Sequence, residues 1–184
     1  MKIFMFAASL RKESYNKQLI NLAVKMLKKL GHEIDLASLD EFDLPLYNAD
    51  IQNSSGFPKS VQHFIDRMQG ADGMIISSPE YNYSIPGVLK NLIDWVSRIK
   101  PMPFQKQRIQ LLSASMSLVG GNRGLWVTRM SLEACGALIV PDMFSLATAQ
   151  EAFDEEGNLK NPQMLQMLTT MLNDYVGVVE KLKK

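Results

Sequence analysis

Residues 73–99 read GMIISSPEYNYSIPGVLKNLIDWVSRI, and this stretch decides the fold. Gly73–Ser78 is a short continuous apolar run, the mark of a strand covered on both faces. The loop PEYNYSIPG follows, and after it Val88, Leu89, Leu92, Ile93, Val96 and Ile99 line one side of a helix. Pro86 suits the first turn of that helix, where its missing N–H costs nothing. Strand, polar loop and helix in this order form the repeating unit of a parallel sheet.

The same unit recurs in both directions. Towards the N-terminus, Ile3–Ala8 (IFMFAA) is another buried run, and Leu19, Ile20, Ala23, Leu27 and Leu30 keep helical spacing until Gly31. His32–Ala37 alternates Ile34 and Leu36 with Glu33 and Asp35, which predicts an edge strand with one wetter face. Asp40–Pro58 is irregular and is expected to be a long loop before a helix over Lys59–Gln69. Towards the C-terminus, Ile109–Ser115 repeats the strand, and a glycine loop leads to a helix over Asn122–Cys135. Leu138–Val140 is a fifth, shorter strand. In the last helix Asn161 caps, Pro162 takes the first position, and Leu165, Leu168, Leu172, Tyr175, Val179 and Leu182 make one stripe. Five strands alternating with five helices predict a doubly wound five-stranded parallel α/β sheet with helices on both faces. Residues 1–184 then form a single domain.

Composition narrows the function. The 184 residues carry Lys+Arg 20 against Asp+Glu 19, a net charge of +1, and 46% hydrophobic residues. Such a chain has the material for a core and lacks the basic excess that binding to nucleic-acid phosphates requires. A single cysteine, Cys135, excludes an intrachain disulfide and a cysteine metal cluster, and His32 and His63 have no ligand spacing. The apolar run in MKIFMFAASLRK is too short for a secretory signal or a membrane span, so a soluble cytoplasmic protein is expected. The twelve methionines read as core or interface filler.

In doubly wound sheets ligands bind beyond the C-terminal strand ends, where the strand order reverses. The loops after the first, third and fourth strands are therefore the ones to read. Ser9-Leu10-Arg11-Lys12-Glu13-Ser14-Tyr15-Asn16 runs into a helix N-terminus with two hydroxyls, a guanidinium and an amide. Ser9, Ser14 and Asn16 can donate to a phosphate monoester while Arg11 supplies charge. The other reading of this loop is a plain helix cap with a solvated arginine. The loop is neither a Walker P-loop nor a GxGxxG turn. After the third strand, two prolines stiffen a loop in which Tyr81, Tyr83 and Asn82 suit a planar heteroaromatic ring. Glu80 has no partner at a recognisable spacing and reads either as an acid/base group or as a carboxylate that fixes the loop.

SLRKESYN and PEYNYSIPGVLKNLIDW resemble the two signature segments of the NADPH-dependent FMN reductases, the flavodoxin-like quinone, chromate and azo-dye reductases. SASMSLVGGNRG resembles the third segment, and element order agrees over essentially the whole chain. The resemblance implies a flavodoxin-like sheet of order 2-1-3-4-5 and a tightly held FMN. It maps Ser9, Arg11, Ser14 and Asn16 onto the FMN phosphate, with backbone help from Leu10 and Tyr15, and Pro79, Glu80, Tyr81 and Asn82 onto the isoalloxazine ring. Ser115 takes the place of a further flavin contact, and Gly120 and Gly121 would let their loop approach the ring. Two departures from the family pattern are Ala8, where a glycine is usual, and the apolar stretch Met116–Val119.

The resemblance further implies NADPH or NADH as co-substrate, ping-pong transfer to quinone-type, azo or chromate acceptors, and no obligatory catalytic side chain. It points to a homodimer or homotetramer, with the helices carrying Trp95 and Trp126 as contact candidates, and partners limited to small-molecule electron acceptors. Arg123 is open to three roles: a cofactor phosphate, a neighbouring subunit or plain solvent. The alternative function is an FMN-binding electron carrier without its own NAD(P)H oxidation. A neutral charge and Arg11 at the phosphate loop weigh against it, since such carriers are acidic. A receiver-type domain would need acidic residues at the strand ends, and Ala7–Ser9 and Ser77–Pro79 offer none.

Overall fold

A computed structural model describes residues 1–183. The elements are β1 (Lys2–Ala7), α1 (Tyr15–Lys29), β2 (Glu33–Ala37), α2 (Ala49–Ser55), α3 (Lys59–Gln69), β3 (Gly73–Ser77), α4 (Gly87–Val96) and β4 (Arg108–Ala114). They continue with α5 (Asn122–Glu133), β5 (Leu138–Ile139), β6 (Phe144–Leu146), α6 (Ala149–Ala152) and α7 (Pro162–Lys181). All strand pairs are parallel, in the order β2-β1-β3-β4-β5, with β6 also on β4. The flavodoxin-like order expected from the sequence is the one observed. The order reverses at β1, which pairs β2 on one side and β3 on the other.

β1 shows why the buried runs are continuous. Ile3, Met5 and Ala7 face a core shared with α1 and α7, while Phe4 and Phe6 face one shared with α3, α4 and α5. A strand between two helical layers has no wet face, so alternation disappears. On the second face Phe4, Phe6, Phe42, Phe64 and Phe104 pack mostly edge to face. β2 is the edge, and there Asp35 and Glu41 are bridged by Arg67. Asn161 caps α7 as expected, accepting from the N–H groups of Gln163 and Met164.

Three expectations need correction. The segment 40–58 is not one loop: a 3₁₀ turn covers Leu39–Phe42, and α2 follows. Trp95 is fully buried, so it is no subunit contact. Its Nε1 donates to the Pro45 carbonyl at 2.8 Å, and Asn91 Oδ1 accepts from the Tyr47 N–H at 2.8 Å. The polar face of α4 thus holds the 44–47 segment of its own chain. Finally, the fifth strand is split. Pro141 cannot donate to a ladder, so β5 stops before it and the chain rejoins β4 as β6.

Asn16 ties the strand ends together. It was expected to meet a phosphate, but its side chain is buried and already bonded. Nδ2 donates to the Ala114 carbonyl at 2.8 Å, and Oδ1 accepts from the Ala114 N–H at 3.0 Å and from Ser77 Oγ at 2.9 Å. The start of α1 is thereby fixed to the ends of β3 and β4.

Replacing Asn16 by Ala strands the Ala114 N–H and carbonyl and is expected to cost about 2–3 kcal/mol, read from the urea midpoint at unchanged m-value. A loss under about 0.5 kcal/mol would mean the amide is not a tie. A second test concerns Gly73, where an added Cβ would collide with the buried Tyr175 hydroxyl. Gly73→Ala is expected to cost about 1–3 kcal/mol through overpacking. Part of that should be recovered in the Gly73→Ala/Tyr175→Phe double variant, and strictly additive losses would refute the contact.

Candidate functional site

Because β1, β3 and β4 are adjacent, the three loops leaving their C-terminal ends are contiguous. The first begins at Ala8, buried with its N–H on the Ser77 carbonyl at 2.8 Å, so the methyl in place of the usual glycine is accommodated. Ser9 and Ser14 are both buried, yet neither hydroxyl has a hydrogen-bond partner among the described residues. Ser14 occupies the N-cap position of α1 without making a side-chain cap bond. The N–H groups of Tyr15, Asn16 and Lys17 open this helix and point the same way. Leu10, Arg11, Lys12 and Glu13 are exposed, and the Arg11 guanidinium carbon lies 5.2 Å from the centre of the Tyr15 ring.

The second loop is held rigidly. Pro79 is buried, and the Ser78 N–H donates to the Leu112 carbonyl at 2.8 Å. Tyr81 and Ser84 exchange backbone hydrogen bonds at 3.1 and 3.0 Å around Asn82 and Tyr83. Both central residues have positive φ, +50° and +63°, the requirement of a primed two-residue turn. Asparagine tolerates that region, whereas a tyrosine there is strained. The turn stands Tyr81 and Tyr83 into solvent, 54% and 65% exposed. Nothing in the local sequence announced the strained tyrosine.

Of the two readings of Glu80, loop fixing is the one seen. Its carboxylate accepts from the Gly124 N–H at 2.9 Å, three residues into α5. This caps the helix from another loop and meets the positive end of its dipole. The third loop is closed from behind. Ser115 donates its N–H to the Leu146 carbonyl at 3.0 Å, and its hydroxyl accepts from the Ser117 N–H at 3.2 Å. Gly120 has φ +62°, and a Cβ there would lie 2.8 Å from the backbone of Ser145, Leu146 and Ala147. Gly121 packs on the Ser113 side chain. Within the chain these two glycines admit the close approach of β6 and β4. Met116, Leu118 and Val119 are exposed. Arg123 has its guanidinium carbon 4.4 Å from the centre of the Tyr83 ring, a contact absent from the expected roles.

This donor set fits FMN. Two serine hydroxyls without protein partners and a helix N-terminus beside an arginine match a phosphate monoester. The stiff second loop with exposed aromatics matches a flat ring system.

Comparison with known proteins places the chain as a whole. Positions 1–151 match the family of NADPH-dependent FMN reductases. Over 100% of this chain and 97% of its own length, a quinone reductase of Escherichia coli (strain K12) is 30% identical. An NAD(P)H-dependent FMN reductase of Pseudomonas aeruginosa is 34% identical over the same shares. The solved structure of FerB, a flavoenzyme NAD(P)H:(acceptor) oxidoreductase of Paracoccus denitrificans, superposes with a TM-score of 0.82 at 26% identity. That superposition covers 98% of this chain and 97% of FerB. A family match over residues 1–151, with relatives 30% and 34% identical along the whole chain, shows that the chain belongs to the NADPH-dependent FMN reductase family.

Proposed function

We propose that the three loops hold one FMN and use it to pass electrons from NADPH or NADH to quinone-type acceptors. The observation that carries the reading is Ser14, an N-cap serine whose hydroxyl caps nothing. Ser9, Arg11 and Ser14 contact the phosphate through their side chains, while Leu10, Tyr15 and Asn16 contribute backbone N–H groups. The side chain of Asn16 is committed to Ala114 and Ser77, so its part is positional. Pro79, Glu80, Tyr81 and Asn82 line the ring. Glu80 does so through its backbone, because its carboxylate is held by Gly124. Ser115 and Gly120 border the ring from the third loop.

Bound FMN supplies the two-electron chemistry, taking hydride from the nicotinamide and giving electrons to the acceptor. The residues of the chain bind and orient it. Tyr81, Tyr83 and the Met116–Val119 stretch, all exposed, would border the bound ring and leave room for donor and acceptor in turn. Such a shared opening would suit a ping-pong cycle without an obligatory acid–base side chain. The apolar stretch favours quinones, with azo compounds and chromate as further acceptors of an open flavin. Trp126, Met130 and Leu118, which are 57%, 64% and 86% exposed, form the surface on which a homodimer or homotetramer would assemble. Among the described residues no helix is long and apolar enough to cross a membrane.

Purified protein is expected to be yellow, to release FMN rather than FAD on denaturation, and to oxidise NADPH rapidly once a quinone is added. A colourless protein that takes up no added FMN refutes the reading. Arg11→Ala is expected to raise the FMN Kd by about 10-fold or more, as loss of a charge-assisted phosphate contact does. An unchanged Kd would put the phosphate elsewhere. Ser14→Ala separates ligand from cap. With no capping bond to lose, apo-protein stability should stay within about 0.5 kcal/mol while the FMN Kd rises several-fold. Lost stability at constant Kd is the opposite result.

A further inference from the structure

Six arginines occur in the chain, and four are engaged away from the three loops. Arg67 pairs with Asp35 and Glu41, and Arg129 with Glu133. Arg108 donates to the Leu182 carbonyl, and Arg98 lies 4.9 Å over the Tyr47 ring. Arg11 and Arg123 remain, both exposed on the loop edge of the sheet and both without an acceptor among the described residues. The FMN phosphate accounts for Arg11. Nothing yet accounts for Arg123.

Its placement runs against local electrostatics. Arg123 is the second residue of α5, where the helix dipole is positive and a cation is disfavoured. Among the described residues no ion pair joins it to Glu80, whose carboxylate accepts from the Gly124 N–H. What steadies the guanidinium is the Tyr83 ring, and Tyr83 occupies the left-handed region that a bulky side chain avoids. Next to this helix start, Ser113 Oγ is buried without a hydrogen-bond partner and packs against Gly121, the residue preceding α5. An unpaired cation and its aromatic seat coincide here, and the cation gains when an anion arrives.

The reaction brings such an anion. A nicotinamide dinucleotide carries a pyrophosphate, and NADPH an additional 2′-phosphate, while the single phosphate of FMN lies at the other loop. We infer that Arg123, seated on Tyr83, receives a phosphate of the incoming NAD(P)H and so positions the nicotinamide for transfer. The assignment rests on the FMN site proposed above. Arg123 is a positioning and selecting residue here, with no part in the transfer of electrons.

The test uses FMN-loaded wild type, Arg123→Ala and Arg123→Lys in steady-state assays with NADPH and NADH against one quinone. Arg123→Ala is expected to raise the dinucleotide KM about tenfold, with FMN content, quinone KM and gel-filtration elution volume unchanged. Arg123→Lys should restore most of the loss, and raised ionic strength should weaken wild type more than Arg123→Ala. A rise for both dinucleotides identifies the pyrophosphate, and a rise for NADPH alone identifies the 2′-phosphate. An unchanged dinucleotide KM in a variant that retains FMN overturns this assignment alone. An equal rise in quinone KM, loss of FMN or a shifted elution volume also overturns it, by placing Arg123 at the acceptor, the flavin or a subunit contact. Wild type that takes up no FMN overturns the site reading and this assignment with it.

Discussion

The buried amide of Asn16 is the constraint on which the functional edge depends. Three contiguous loops can form one site only if their starting points are fixed relative to one another, and strand pairing alone does not fix a helix start. The Asn16 side chain does so, with both amide atoms and two neighbouring strands engaged in three hydrogen bonds. It sits in the first turn of α1, so the N–H groups beside it are aimed by the same tie. A buried side chain held in this way is committed to the fold, and the donors open to a ligand at this loop are the hydroxyls, the Arg11 guanidinium and the backbone.

The second loop solves a similar problem through strain and a borrowed cap. A primed turn with tyrosine at φ +63° is unfavourable in isolation. It persists because Pro79 is buried before it, Ser78 is bonded to β4, and the Glu80 carboxylate locks the loop to α5. Glu80 therefore couples two of the three loops. Through this bond the position of the second loop and that of the α5 N-terminus, which carries Arg123, are set together.

Much of this was legible in the sequence, for definite reasons. Period and punctuation gave β1, β3, β4, α3 and α7, because a strand covered on both faces leaves an unbroken apolar run and a capped helix announces its start. The split of the last strand was hidden, since three residues such as Phe144–Leu146 are too few to show a period. Trp95 looked like a contact surface because periodicity shows which side of a helix is apolar and not what covers it. The pairings of Asn16 with Ala114 and of Glu80 with Gly124 span 98 and 44 residues, beyond any local signal. Only the residue types could be named, and the roles had to come from three dimensions.

The near-zero net charge takes on a different meaning once charges are placed. The ion pairs lie at the sheet edges and along helices: Arg67 with Asp35 and Glu41, Lys90 with Asp94, Arg129 with Glu133, and Lys183 with Asp72. None of these joins the three loops. The carboxylate that does, Glu80, is spent on a backbone N–H. Balance over the whole chain therefore coexists with uncompensated arginine on the ligand edge, at Arg11 on one side and Arg123 on the other. Fields at that edge are set by these local groups, because salt screens exposed charges beyond about 10 Å. A globally basic protein would attract polyanions everywhere. A neutral one with exposed cations about its loops, at Arg11, Lys12 and Arg123, favours phosphate-bearing ligands at that edge.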